Sequence, residues 1–271
     1  MSMKKRMTRT GKAAPKLSAL VVARNEQDQL ADCLETLRFA DEIVVVLDRS
    51  TDDSGKIAKR FKAKILTGAW EREGPRRNAG IAACKGSWIL EVDADERVTP
   101  ELASEIRATL EWADAEIGRG YFLVPIANYI GGSLVRFGWG AYNGVAAKPA
   151  LFRKGAKIWG AGRVHPKITL SGPKSSLVRP ITHHVDTSLS DMIARLNRYT
   201  DLAAADARDA GQKPHISKAL RRLFSRGWKS YVARRGYREG PWGVALALFS
   251  ALYPLLIDLK LATGKDGGRA R

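Results

Sequence analysis

Two cysteines, Cys33 and Cys84, are all that the 271 residues contain. So few exclude a disulfide framework and a zinc site built from cysteines, and they suit a reducing compartment. No G-x-G-x-x-G follows the first apolar run, and no G-x-x-x-x-G-K-[ST] occurs anywhere. A dinucleotide dehydrogenase or a P-loop nucleotide hydrolase is therefore not expected. Acids are scarce: 28 Asp and Glu face 46 Lys and Arg, a net charge of +18. From Ile117 to Val185 there is no acid at all, against ten Lys or Arg. Such a balance asks for an anionic partner: nucleic acid, an anionic membrane face or a phosphorylated substrate. Apolar residues still make up 45% of the chain, enough for a folded core.

The ends are basic. Met1 to Lys16 carries six Lys or Arg and no acid. The apolar run behind it, Leu17 to Ala23, leads straight into Arg24-Asn25-Glu26. It lacks the roughly 7–15 apolar residues and small-residue cleavage site of a secretion signal. The expectation is a disordered basic tail followed by a strand. Near the other end, Gln212 to Gly240 holds nine Lys or Arg and one acid, Glu239. The 17 residues from Pro241 to Ile257 then carry no charge, with Pro254 among them. A membrane-spanning helix needs roughly 20 residues. A basic stretch followed by an apolar helix with Trp228, Tyr231, Tyr237, Trp242 and Tyr253 reads instead as an anchor lying in the membrane plane. A core helix beside a solvated basic helix is the alternative.

Between residues 17 and 98, strand-like and helix-like segments alternate. Leu17–Ala23, Glu42–Leu47, Lys64–Leu66 and Trp88–Val92 are short, apolar and β-branched. Leu30, Cys33, Leu34 and Leu37 recur at helical spacing and predict a helix over 26–38. Ser50-Thr51-Asp52 supplies capping chemistry for a helix near 54–61, and 75–84 reads as a third helix. This alternation implies an α/β fold with a mostly parallel sheet, helices on both faces and ligands at the carboxyl ends of the strands. The polar residues fall there: Asn25 and Glu26 after the first strand, Asp48 after the second, Asp93 and Asp95 after the fourth.

Glu91, Asp93, Asp95 and Glu96 place four acids within six residues. Crowded carboxylates repel unless a metal ion or basic side chains compensate. Mg2+ or Mn2+ would be held by one or two of them plus substrate phosphates. An acidic cap on a helix near 99–112 is the plainer alternative.

These segments resemble family 2 glycosyltransferases of the GT-A (Rossmann-like) fold. The matching pieces are Leu20-Val-Val-Ala-Arg-Asn-Glu26, Asp41-Glu-Ile-Val-Val-Val-Leu-Asp-Arg-Ser-Thr-Asp-Asp53, Pro75-Arg-Arg-Asn-Ala-Gly80 and Gly86-Ser-Trp-Ile-Leu-Glu-Val-Asp-Ala-Asp-Glu-Arg-Val98. Their order is more specific than any one of them. His183-His184, Met192–Tyr199, Ala203–Ala205 and Gly236-Tyr-Arg-Glu-Gly240 extend the likeness to the bacterial subgroup that adds glucose to the lipopolysaccharide or lipooligosaccharide inner core. The resemblance implies an inverting enzyme that moves a hexose, glucose by subgroup, from a UDP-sugar to a cell-envelope glycan. It implies that Asn25, Glu26 and Asp48 line the nucleotide pocket and that Arg77 and Asn78 face the donor. Asp93 would contact ribose or sugar, and Asp95 and His183 would hold the metal.

Two departures stand out. Leu47-Asp48-Arg49 replaces the family's usual acid pair, or acid and Ser, before the turn. His165-Pro166 replaces a common His-Glu, which removes the expected general base. An inverting transfer needs such a base. Asp186, the first carboxylate after the acid-free stretch, and His165 are the favoured candidates, with His184 and Glu96 behind them. The acid-free stretch would make a basic face for an anionic, lipid-linked glycan acceptor, and the enzyme would sit on the inner face of the cytoplasmic membrane. The chain then divides into a basic tail (1–16), a GT-A domain (17–210) and a helical membrane-associating extension (211–271). The competing classes are a catalytically impaired relative acting as a membrane scaffold and a basic nucleic-acid-binding protein. Nucleic acid is not expected, because the acid pair would repel phosphate and no recognition motif is present.

Overall fold

The structure, a computed structural model, describes residues 16–116, 120–138, 146–161 and 166–264. The basic tail before Lys16 lies outside the described residues, as do Trp139, Tyr142 and the candidate base His165.

The first strand, β1 (Leu17–Ala23), is buried along its whole length. Successive side chains of a strand point to opposite faces. Leu17, Ala19 and Val21 accordingly enter one apolar cluster, and Leu20 and Val22 enter another. Helix α1 (Gln27–Thr36) covers the first face through Leu30, Cys33 and Leu34. Strand β2 (Glu42–Asp48) pairs parallel to β1, Val21 opposite Val45. Helix α2 (Ser54–Arg60) returns to strand β3 (Lys64–Gly68), which extends the parallel sheet beyond β2. Helix α3 (Glu73–Ala83) then crosses the second face, and strand β4 (Trp88–Asp93) pairs parallel to the free side of β1. The chain order therefore reverses at β1, which opens a crevice beyond the carboxyl ends of β1 and β4.

A two-residue strand, β5 (Glu96–Arg97), and helix α4 (Pro100–Glu116) follow, with Leu102, Ile106 and Leu110 packed on the first face. The second half adds β6 (Tyr121–Ile130), β7 (Ser133–Val135), β8 (Ala146–Arg153), β9 (Lys157–Trp159), β10 (Ile168–Leu170), β11 (Lys174–Ser176) and β12 (Ile181–Asp186). The main sheet runs β3-β2-β1-β4-β8-β6-β12-β5. The expected mostly parallel sheet, with helices on both faces, is present. It continues through β8, which runs antiparallel to both β4 and β6. Strand β12 is parallel to β6 and antiparallel to β5. That last pairing sets His183 opposite Glu96, at the acidic end of β4.

Three helices follow among the described residues: α5 (Leu189–Asp209), α6 (Ile216–Trp228) and α7 (Gly240–Thr263). A π turn (229–233) and a 3-10 turn (236–239) link the last two. Helix α7 continues unbroken through Pro254, so that proline does not end the apolar helix. One face of α7 packs on the domain: Leu246, with Trp242 and Phe249 beside it, meets Ile130, Val135 and Met192. Glu239, the lone acid of the basic stretch, points inward, and its Oε1 accepts from the Arg136 and Phe137 N–H at 3.0 and 2.8 Å. The Gly-Tyr-Arg-Glu-Gly segment is thus a clamp on the loop after β7.

Helix α3 approaches the sheet at Gly80, where a Cβ would come within 2.7 Å of Leu20 Cδ1 and 2.8 Å of Val46 Cγ2. Both neighbours are buried and cannot swing away. Gly80→Val is therefore expected to destabilise the protein by about 1–3 kcal/mol through overpacking, read from the urea unfolding midpoint. An unchanged midpoint would mean that α3 rides higher on the sheet.

Candidate active site

Three turns meet at the carboxyl edge of the sheet. After β1, Asn25 takes a left-handed backbone (φ 56°), which asparagine tolerates better than most residues. Its Oδ1 accepts from the Thr51 N–H at 2.9 Å, and its own N–H donates to Ser50 Oγ at 3.2 Å. The Glu26 and Gln27 N–H groups donate to Ser54 Oγ and Asp52 Oδ2. These bonds latch the loop after β1 to the loop after β2. Asn25 is exposed and ties the rim together. Glu26 is partly buried, and burial, with Asp95 adding its charge, pushes its carboxyl up to about 7.

Asp48 ends β2 and is 2% exposed. Its oxygens accept from Arg49 Nε and Nη2 at 3.0 and 3.1 Å, from the Trp70 N–H at 3.0 Å and from Arg76 Nη1 at 3.1 Å. A carboxylate offers about four acceptor positions, so protein donors fill it. Arg49 is the more exposed of the two arginines, and its left-handed backbone (φ 51°) aims the guanidinium back at Asp48. A nucleobase reaching Asp48 would have to displace one of these donors.

The end of β4 is where the acids crowd. Glu91 and Glu96 are almost fully buried. Glu91 pairs with Arg77 Nη1 at 2.7 Å and Lys157 Nζ at 2.8 Å, and it accepts from Trp159 Nε1 at 3.2 Å. Burial alone would raise its carboxyl, but Lys157 and Arg77 hold it below the usual range. Asp93 accepts from Arg77 Nη2 at 2.9 Å and Lys148 Nζ at 3.2 Å; these cations overcome burial and hold it well below the usual carboxylate range. Glu96 accepts from Lys148 Nζ at 2.6 Å and from the Asp93 N–H at 2.9 Å. Three basic side chains therefore compensate three of the four acids.

Asp95 stands apart from that network. Its Oδ2 lies 3.3 Å from His183 Nε2, and its backbone carbonyl accepts from the His184 N–H at 2.9 Å. The other ring nitrogen of His183, Nδ1, sits 2.8 Å from Asn128 Oδ1. With an amide oxygen at Nδ1, Nε2 faces the Asp95 carboxylate; burial would lower the imidazole, but the hydrogen bond and charge of Asp95 outweigh it and raise it above its usual value. A cation bound between them would displace the shared proton and take Asp95 Oδ2 and His183 Nε2 as its donors. Among the described residues no group of three or more His, Cys, Asp or Glu could hold a metal. Two protein donors, completed by a substrate diphosphate and water, suit Mg2+ or Mn2+, so the residues fit such an ion.

The structure also corrects the sequence reading. Arg77 is committed to Glu73, Glu91 and Asp93 and stacks on Trp159, 4.7 Å from the ring centre. It positions the acids rather than presenting an open face to a donor. Asn78 makes a two-way bond with the backbone of Trp159, at 2.8 and 3.0 Å, which fastens β9 to α3. Lys148 and Lys157 do not belong to a basic acceptor face, since both are turned in toward acids. Glu96 is occupied by Lys148 and is set aside as a base. Asp186, at the end of β12, is buried, with Arg195 Nη2 of α5 at 2.6 Å from its Oδ2; burial outweighs that cation and pushes the carboxyl up to about 6. Lys148, Lys157, Trp159, Asn128 and Arg195 escaped sequence reasoning. One signal was present: an acid at position 91, inside a strand buried on both faces, requires a buried cation partner.

Residues 18–122 match the family described as glycosyl transferase family 2. That stretch, the first half of the sheet, is similar to a family 2 glycosyltransferase domain. A Rickettsia typhi protein named as a glycosyltransferase is 33% identical over 92 residues, 34% of this chain and 32% of its own. The chain thus aligns with about a third of the length of that relative. A lipopolysaccharide core biosynthesis glycosyltransferase of Rhizobium meliloti, LpsC, is 24% identical over 90% of this chain and 91% of its own. Among solved structures, residues 1–349 of Staphylococcus aureus TarS in complex with UDP-GlcNAc match over 92% of both chains, at 12% identity and a TM-score of 0.49. The Mycobacterium tuberculosis glucosyl-3-phosphoglycerate synthase in complex with Mn2+, UDP and glucosyl-3-phosphoglycerate matches 44% of this chain and 45% of its own, at 18% identity and a TM-score of 0.33.

Lys157→Met leaves Glu91 short of one cation and is expected to cost about 3–5 kcal/mol, as for other broken buried pairs. Adding Glu91→Gln should restore part of that loss in urea unfolding. A single variant as stable as the parent would show that Arg77 alone suffices for Glu91.

Proposed function

We propose that the chain is an inverting glycosyltransferase that moves a hexose from a UDP-sugar to a lipopolysaccharide core or related cell-envelope glycan, on the cytoplasmic side of the membrane. The observation that carries this reading is the Asp95–His183 pair at the carboxyl edge of a family 2 domain. Alignment with LpsC over nine-tenths of the chain supports the acceptor class. Glucose as the sugar rests on the subgroup resemblance alone.

The donor diphosphate would lie over the Asp95–His183 pair, where a bound Mg2+ or Mn2+ would neutralise the charge that develops on the departing UDP. Asp93, fixed by Arg77 and Lys148, keeps its charge and its direction. Glu26 and Asp48 border the nucleotide side. The acceptor oxygen forms its bond to the anomeric carbon while the bond from that carbon to the diphosphate oxygen breaks. The electron pair leaves with UDP, and the acceptor proton passes to a base. Asp186 suits that role: it lies three residues past His183 on the same strand, and with a pKa of about 6 it is ionised yet basic at neutral pH. Arg195 holds it in place.

The test is UDP release from a panel of UDP-sugars, with and without Mn2+ or Mg2+, for the parent chain, Asp95→Ala and Asp186→Asn. Metal-dependent release is expected, with Asp95→Ala losing at least about 100-fold, of the order of removing one charge-stabilising group. Asp186→Asn is expected to lower kcat for acceptor transfer by about 100- to 10,000-fold, the worth of a general base, while donor binding by calorimetry is retained. Absence of both release and binding for every UDP-sugar would overturn the assignment, and an active Asp186→Asn would move the base elsewhere.

A further inference from the structure

Helix α6 is amphipathic in a way that its packing does not use up. Ala219 is buried and Leu223 half-buried, on the side where α6 meets α7. Leu220, Phe224, Trp228 and Tyr231 recur at spacings of four, four and three and share the neighbouring stripe. They are 48%, 76%, 68% and 38% exposed. Large aromatic rings this open are unusual on a folded surface, above all in a row. Around the rest of the open surface of α6, starting beside Trp228, Arg221, Lys218, Arg222 and Arg226 are all exposed. Ile216 to Arg238 contains no acid, and the acid that follows, Glu239, is turned inward onto Arg136 and Phe137.

Helix α7 adds to this surface. It is apolar enough to cross a membrane, yet only 22% of its most apolar window is buried, unlike the core helix of a soluble domain. Val244 and Leu248 are each 53% exposed. It is nevertheless fastened along its length. Leu246 packs on β6, β7 and α5, and Lys260 Nζ, near its end, donates to Asn197 O, Asn197 Oδ1 and Thr200 Oγ1 on α5 at 2.9, 2.7 and 2.8 Å. A helix held on one side in this way lies along a surface and does not span.

We propose that α6, the turns after it and the outer side of α7 form a docking surface for an anionic lipid bilayer, with Phe224 and Trp228 inserted at the headgroup level and the basic row facing the headgroups. The observation that selects lipid is charge complementarity. A second copy would set +18 against +18 and bring like-charged rows together, whereas an anionic interface supplies both the acyl phase for the rings and the counter-charge for the arginines. Helix α5, which carries Arg195 to Asp186, packs directly on α7, so docking also sets the catalytic edge at a fixed height over the bilayer.

The test is co-sedimentation of the full chain with phosphatidylcholine vesicles, with and without phosphatidylglycerol. Binding that requires phosphatidylglycerol is expected. Phe224→Ala with Trp228→Ala should weaken it at least about tenfold, in line with two lost apolar side chains. Arg221→Glu with Arg222→Glu should abolish the preference for phosphatidylglycerol, each basic residue being worth about fivefold near such a surface. These side chains are exposed, so the variants should keep the parent far-UV circular dichroism and sediment alone as the parent does. Sedimentation that the four substitutions leave unchanged, or no binding to either vesicle, would overturn the proposal. So would a drop in oligomeric state with no change in lipid binding, which would assign the stripe to a second copy. None of these readouts requires the donor assay to succeed, so the two proposals fail separately.

Discussion

Buried carboxylates at the end of β4 are the constraint on which the site depends. Glu91 and Glu96 are removed from water, and Asp93 lies between them. An unpaired buried charge costs several kcal/mol, so the fold has to deliver cations to this point. It does so from three directions: Arg77 from α3, Lys148 from β8 and Lys157 from β9. Each delivery also fixes an element. Arg77 anchors α3 above the crevice, Lys148 ties β8 across the end of β4, and Lys157 with Trp159 draws β9 down beside α3. The compensation is what makes an open, charged strand end compatible with a rigid sheet.

That network has a functional corollary. With Glu91, Asp93 and Glu96 paired to Arg77, Lys148 and Lys157, Asp95 is the acid of the four whose partner is an imidazole and not an arginine or lysine. In the proposed function that difference separates a structural carboxylate from one open to a ligand. The late strand β12 completes the arrangement by bringing His183 beside Asp95, and Asn128 of the adjacent β6 holds the ring by its Nδ1. Asp186, the last residue of β12, inherits its position from that pairing.

The first half of the fold was legible because its signals are local. Leu17–Ala23 and Glu42–Leu47 announce buried strands by composition, and Leu30, Cys33, Leu34 and Leu37 announce a helix by spacing. From that alternation the parallel pairing, and with it the placement of Asn25, Asp48, Asp93 and Asp95 on one edge, follows without coordinates. The second half was less legible. Strands such as Lys157–Trp159 and Lys174–Ser176 have three residues each, too short to show a period, and β8 reverses direction for reasons set by its partners. The family resemblance pointed to His183, which no local pattern could have done.

The sequence alone determined the strand–helix alternation, the acidic edge and the polarity of the two ends, because hydrophobic period and charge content are properties of neighbours along the chain. Tertiary structure decided which charges are used up internally. Lys148 and Lys157 read as surface basics within an acid-free stretch and are in fact the counter-charges of β4, and Asp48 reads as an open acceptor and is filled by Arg49, Trp70 and Arg76. The partners of Glu91, Asp93 and Glu96 on β8 and β9 lie more than 50 residues away in the chain. Electrostatic compensation acts through space, at a few ångströms, and its partners are chosen by the sheet and not by the sequence order.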